Sequence, residues 1–399
     1  MGIRLGNTRA VVVNSFEDCK YILIKNSQGL IDRPKLYTFH GLISSTQGFT
    51  ISSSPWDESC RNKRKAASTT LSKAMMKNYQ EMFDLESYCI LRDLYRNTKN
   101  GTIEVSFRPY IQRYALNTTL TLCYGIRMDE VYDDLLREII HMGSAISLLR
   151  SASENHQDYI PILRYLPNNE ENARSKELRE RRDKYLNELL DNVRGMIKKG
   201  TEKPLNLWAD NFEKEDVSYL NAIVKEAGRY YTVSNMSLPR KTMSDVRWGN
   251  AVIPKNTMVL INAQAGNHDT DYWGADADSF NPERWLEASQ TPSSLQVEKT
   301  LSSTPHLSFG ASSRSCPGAT IASKLIYAAL FRLLSPYRIE ASKADPLNTD
   351  YVDYNLIKRV LVAIPRAFKI KLSPRDGTGD LARKVPKVSQ ETTKEFYKE

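Results

Sequence analysis

Long apolar runs are absent from this 399-residue chain. Nowhere does it approach the roughly eighteen consecutive apolar residues that mark a membrane-spanning helix. The opening Met1-Gly2-Ile3-Arg4-Leu5-Gly6 also lacks the apolar core of a signal peptide. The expectation is a chain without an anchor, cytoplasmic or peripheral to a membrane. Cysteine is scarce and odd in number. Cys19, Cys60, Cys89, Cys123 and Cys316 include no Cys-x-x-Cys pair, which argues against a disulfide framework or a zinc knuckle and fits a reducing compartment. His40, His141, His156, His268 and His306 form no His-Glu-x-x-His set, and no glycine-rich phosphate loop occurs. The net charge of +9 comes from bases scattered among acids, which speaks against nucleic acid as a partner.

What is present is a globular composition, 41% hydrophobic and 26% charged, with 18 glycines and 17 prolines. At about 150 residues per domain, the length allows two domains or one large one. The start reads strand then helix: Ala10-Val11-Val12-Val13 is β-prone, and Ser15 with Asp18 resembles a capping box opening a helix over 16–25. Residues 30–57, rich in Ser, Thr, Gly and Pro, read as loops and short strands. Helical spacing then runs over 56–97 as two helices, and over 110–124, 131–149, 172–199 and 219–231. A small hairpin is expected over 246–261, a last helix over 318–334, and strands over 357–362 and 368–372.

The sharpest local feature is Phe309-Gly310-Ala311-Ser312-Ser313-Arg314-Ser315-Cys316-Pro317-Gly318, just ahead of that last helix. A sulfur at a helix start faces free N–H groups and the positive end of the dipole, which favours the thiolate and metal ligation. Gly310 and Gly318 let a tight loop approach a flat ligand, and Arg314 can pair with an acidic group on it. The plainer alternative is an ordinary buried cysteine. A cysteine nucleophile is a third reading, without a local histidine and orienting residue to support it. Farther upstream, Glu226-Ala227-Gly228-Arg229 sets acid and base at i,i+3 on one helical face. Glu58 to Arg61 and Glu171 to Arg174 share that spacing, so it is informative only together with Pro239-Arg240 and Phe280-Asn281-Pro282-Glu283-Arg284-Trp285 downstream.

This ordered set resembles the cytochromes P450, and nearly all of residues 1–375 resembles fungal members of the phenylacetate-hydroxylase type. The resemblance implies a mainly α fold with small β-sheets and haem b held by the Cys316 thiolate. Residues 1–375 would then be one haem domain and 376–399 a polar tail. It assigns cofactor binding to Phe309, Gly310, Arg314, Cys316 and Gly318, with Arg64, Arg240 and His306 toward the haem propionates. A loop histidine without that role is the other reading of His306. It also makes Glu226, Arg229 and Arg284 a buried ion network, against the alternative of solvated surface pairs. Two positions depart from the family pattern: Ser312 replaces a motif glycine in a turn where a serine is strained, and Cys60 stands where the family has Trp. The implied activity is monooxygenation, one atom of O2 entering a small apolar substrate, aromatic or a secondary metabolite. NADPH-cytochrome P450 reductase would deliver electrons, docking on Arg61, Lys63, Arg64 and Lys65.

Two parts expected of the family are missing from this reading. One is the anchor that places relatives at the endoplasmic reticulum membrane. The other is the long central helix, whose acid and threonine relay protons during oxygen activation. Only residues 200–218 lie where it belongs, without a long apolar run or an Ala-Gly-x-Asp-Thr sequence. The expected fold is therefore P450-like but internally deleted, with one haem face short of its apolar wall. No catalytic residue beyond the haem ligand is identified, and a degenerate remnant that binds haem weakly or not at all is the alternative.

Overall fold

The computed structural model describes residues 1–48, 50–99, 101–151, 155–167, 169–200, 218–287 and 305–375. The polar tail and the stretch 201–217, where the central helix was sought, lie outside the described residues. The described chain is mainly helical, with three small sheets.

The opening strand β1 (Gly2–Leu5) turns at Gly6 into β2 (Thr8–Val13). The next strand of that sheet is β7 (Met258–Ile261), parallel to β2 with Val13 opposite Ile261, and β4 (Arg240–Lys241) closes it. Residues 259–261 therefore do not extend the hairpin expected at 246–261. That hairpin is only β5 (Val246–Trp248) with β6 (Ala251–Ile253). All four residues of β7 are buried, as a continuous apolar run in a covered parallel strand should be.

Helix α1 (Phe16–Lys20) starts as expected, the Ser15 hydroxyl accepting from the N–H of Asp18, and runs on as a π-helical turn over Tyr21–Lys25. Another π-helix, Tyr37–Ile43, occupies part of the stretch read as loop. Its buried Phe39, Leu42 and Ile43 outweigh the local Ser and Thr content. The remaining long helices are α2 (Glu58–Thr70), α3 (Gln80–Asn97), α4 (Arg108–Tyr124), α5 (Asp134–Leu149), α6 (Glu170–Lys199) and α7 (Ser218–Tyr231). Three short ones follow: α8 (Ala263–Asn267), α9 (Thr270–Trp273) and α10 (Arg284–Glu287). The last is α11 (Ala319–Leu334).

One core joins Val13, Phe16, Ile22 and Leu23 to Val259, Ile261, Leu307 and Ala311. The segment leading into the cysteine loop is thus rooted in the first sheet, where each large buried apolar side chain contributes about 1.5–3 kcal/mol. A second core sets α3, α4 and α11 against β8 (Tyr337–Ala341) and β9 (Lys369–Pro374), with β3 (Val105–Ser106) paired along β9. The strand expected over 357–362 is not formed. Leu356, Ile357 and Val362 are exposed on turns, and a single bridge, Asn355 to Pro365, is the pairing there. Three apolar residues beside a proline found no strand edge to join.

Candidate cofactor site

The loop before α11 is closed by its own backbone. The N–H of Cys316 donates to the carbonyl of Phe309 at 2.8 Å, and that of Ser315 to Ser312 at 2.9 Å. Gly310 takes φ +67°, a left-handed turn open to glycine. Ser312 is also left-handed, at φ +59°, so the strain expected from the missing motif glycine is present. Cys316 itself is exposed and opens onto a cavity of about 440 Å³.

Among the described residues, four arginines line that cavity, Arg33, Arg64, Arg240 and Arg314, and no lining residue is acidic. Arg64, on α2, donates to the carbonyl of Ser315 at 2.6 Å. Arg240 reaches the carbonyls of Leu30 (3.4 Å) and Ala311 (3.3 Å). Burial first, then repulsion from Arg314 and Arg64, brings its pKa down to about 9. Arg33 is pushed well below the ordinary value by the same causes, burial leading and Arg240 next. Arg314 donates to the carbonyls of Ser52 and Ser54 and to the Cys60 sulfur, the last at 2.9 Å. The cysteine at the family's tryptophan position is therefore a buried partner of the loop arginine. Nε of Arg33 and Nε of Arg314 are buried with no hydrogen-bond partner among the described residues.

Buried cations that repel one another, with orphaned N–H groups and an adjacent exposed thiol, are the donor set that a dianionic, thiol-ligated group would complete. The residues present fit haem b. Cys316 could hold its iron and Arg64 and Arg240 its propionates, while Gly310 and Gly318 edge the cavity without side chains.

The expected ion network lies behind the loop. Glu226 and Arg229 on α7 are fully buried and paired through two bonds, 2.7 and 2.9 Å. Arg229 also donates to the carbonyls of Asn267, Ala277 and Ser279. Arg284 meets Glu226 at 3.3 Å and Asp276 at 2.9 Å. Burial alone would raise the Glu226 carboxyl, but bonds from Arg229, the Asn281 N–H and the Trp285 indole outweigh it and hold it below its ordinary value.

For His306 the geometry follows the second of its two readings, a loop histidine rather than a propionate contact. It is buried against Trp285 and Phe309, its Nδ1 accepts from the N–H of Ser308, and it does not line the cavity. Burial, then the positive charge of Arg229, lowers its pKa to about 4, so it packs as a neutral ring. Asn267 was missed altogether. It accepts from Leu307 N–H (2.8 Å), donates to Thr232 and Ser308, and lends its carbonyl to Arg229. No local motif announces such a junction.

Comparisons with known proteins agree with this geometry. The family model described as Cytochrome P450 matches residues 1–216 and 212–362, in two pieces that meet where the central helix was missed. The chain is 36% identical to phenylacetate 2-hydroxylase of Emericella nidulans, covering 98% of this chain and 86% of the relative. It is 30% identical to 3-hydroxyphenylacetate 6-hydroxylase of the same organism, over 94% and 82%, and 30% identical to a cytochrome P450 monooxygenase of Mycosarcoma maydis, over 94% and 81%. The first alignment spans 462 positions against a chain of 399 residues, so at least 63 positions (462 less 399) of that relative have no counterpart here.

Proposed function

This chain belongs to the cytochrome P450 family of haem-thiolate monooxygenases, and on that premise we propose that it hydroxylates a small aromatic acid of the arylacetate class. Two of its relatives are named for hydroxylating phenylacetate and 3-hydroxyphenylacetate, and that supports an aromatic substrate bearing a carboxylate. The observation that carries the reading is the exposed Cys316 on a cavity whose described lining holds four arginines and no acid.

In this reading residues 1–375 form one haem domain. When bound, haem supplies the activation of dioxygen from which one oxygen atom enters the substrate. Cys316, three residues ahead of the first residue of α11, would hold its iron through sulfur. Arg64 and Arg240 fix the propionates, and Arg314 fixes the loop by holding the carbonyls of Ser52 and Ser54. Glu226, Arg229 and Arg284 keep the segment running from Asn267 to Trp285 pressed on α7, so the loop is held from behind. Electrons come from NADPH-cytochrome P450 reductase, for which the exposed Arg61, Lys63 and Lys65 beside Arg64 offer a basic face.

The ferrous carbon monoxide spectrum of the purified protein tests the ligand, and a thiolate-type Soret band should vanish in Cys316→Ala. Incubation with reductase, NADPH, labelled dioxygen and phenylacetate should give a product carrying one labelled oxygen. Absence of haem uptake would sink the reading.

A further inference from the structure

Haem would bring two carboxylates to a cluster of five guanidinium groups: the four on the cavity, and Arg150, which stands close enough to depress Arg33 further. Arg150 follows the last residue of α5. Its guanidinium lies over the Phe39 ring at 4.4 Å and donates to the Ser52 hydroxyl at 3.4 Å. Among the described residues, neither Arg150 nor Arg33 meets a carboxylate. Burial brings the pKa of Arg150 down to about 10.

The two arginines line a pocket of about 20 Å³ together with Phe39, Leu238 and Pro239. That is room for a small polar head group. It shares Arg33 and Leu238 with the larger cavity, and Ser52, which touches Arg150, lines the larger one. A cationic niche thus adjoins a roomier chamber whose wall includes Leu23, Ile51, Leu71 and Ile261.

We propose that Arg150, backed by Arg33, is the subsite that takes the carboxylate of a small aromatic acid, with the aromatic ring directed toward the larger cavity, beside the haem that would occupy it. This rests on the hydroxylase reading above and adds the residue that selects for an acid. A guanidinium matches a carboxylate through two parallel N–H bonds. The Phe39 face already holds the Arg150 group in place, so little ordering is left to binding. The carboxylate supplies the charge that the pocket lacks, and an uncharged analogue leaves Arg150 unpaired.

Calorimetric titration of the haem-loaded protein with phenylacetate, its amide, and other aromatic acids such as benzoate tests the assignment. The intact chain should bind phenylacetate at least about tenfold more tightly than phenylacetamide, a comparison that needs no variant. Arg150→Gln should abolish that preference and leave the amide unchanged, and Arg150→Lys should keep part of it. Equal weakening of acid and amide in Arg150→Gln, or no change in either, overturns the subsite. If phenylacetate is ignored but another aromatic acid binds with the same dependence on Arg150, the arylacetate reading fails and the subsite stands. If no aromatic acid is preferred over its amide, the subsite fails, whatever the spectrum and product assays show of the enzyme.

Discussion

A side-chain carbon placed on Gly228 would lie 2.7 Å from Nε2 of His306. The glycine in α7 is therefore the space into which the histidine packs, and this contact couples the Glu226–Arg229 helix to the segment that leads into Cys316. In Gly228→Ala the overpacking, about 1–3 kcal/mol, exceeds the roughly 1 kcal/mol that alanine gains over glycine in a helix. Urea unfolding should show a less stable protein. In a His306→Ala background the same change should instead stabilise, and a destabilisation there would refute the contact.

Ser312 holds a left-handed backbone at φ +59° that costs a non-glycine residue about 1 kcal/mol or more. Ser312→Gly restores the residue type this turn needs. Thermal unfolding should show a gain of about 1 kcal/mol, and haem should be lost more slowly to an apo-globin acceptor.

Glu226 and Arg284 differ in what their loss exposes. Glu226→Gln leaves the fully buried Arg229 without its counter-charge, and removal of one partner from a buried pair costs about 3–5 kcal/mol. Arg284 also serves the half-exposed Asp276, and its truncation should cost only about 1 kcal/mol. Unfolding midpoints in urea rank the two, and an equal loss would count against a buried network.

Acid should weaken the fold through His306. Its pKa falls from 6.5 to about 4 in the folded state, so between those pH values the unfolded chain binds the proton and the folded one does not. Stability is complete above pH 6.5 and declines toward pH 4, by up to about 3 kcal/mol. His40 and His268, also lowered by burial, add to the slope. Unfolding free energies across this range should flatten in His306→Gln relative to the parent, and an unchanged slope would count against the assignment.

The central segment offers a direct comparison. Residues 200–217 separate Lys199 of α6 from Ser218 of α7, and at least 63 aligned residues of phenylacetate 2-hydroxylase, somewhere along its length, have no counterpart in this chain. Replacing 200–217 by the corresponding segment of phenylacetate 2-hydroxylase should raise the product formed per NADPH consumed if this stretch limits proton delivery, and an unchanged ratio would count against that role.

The sequence by itself determined the features whose chemistry is local in the chain. The cysteine loop, the Glu226 to Arg229 spacing, the Ser15 cap and the long helices depend on neighbours within a few residues, so pattern alone reveals them. The strain at Ser312 was readable for the same reason, since a motif position fixes the turn around it. Tertiary structure decided whatever rests on residues brought together from afar. Met258–Ile261 became a central strand because β2, some 250 residues upstream, offered its edge. His306 became a packing group because Gly228 left room for it. Arg33, Arg150 and Arg314, separated along the chain, became one field of uncompensated charge because burial removed the water that would have screened them apart.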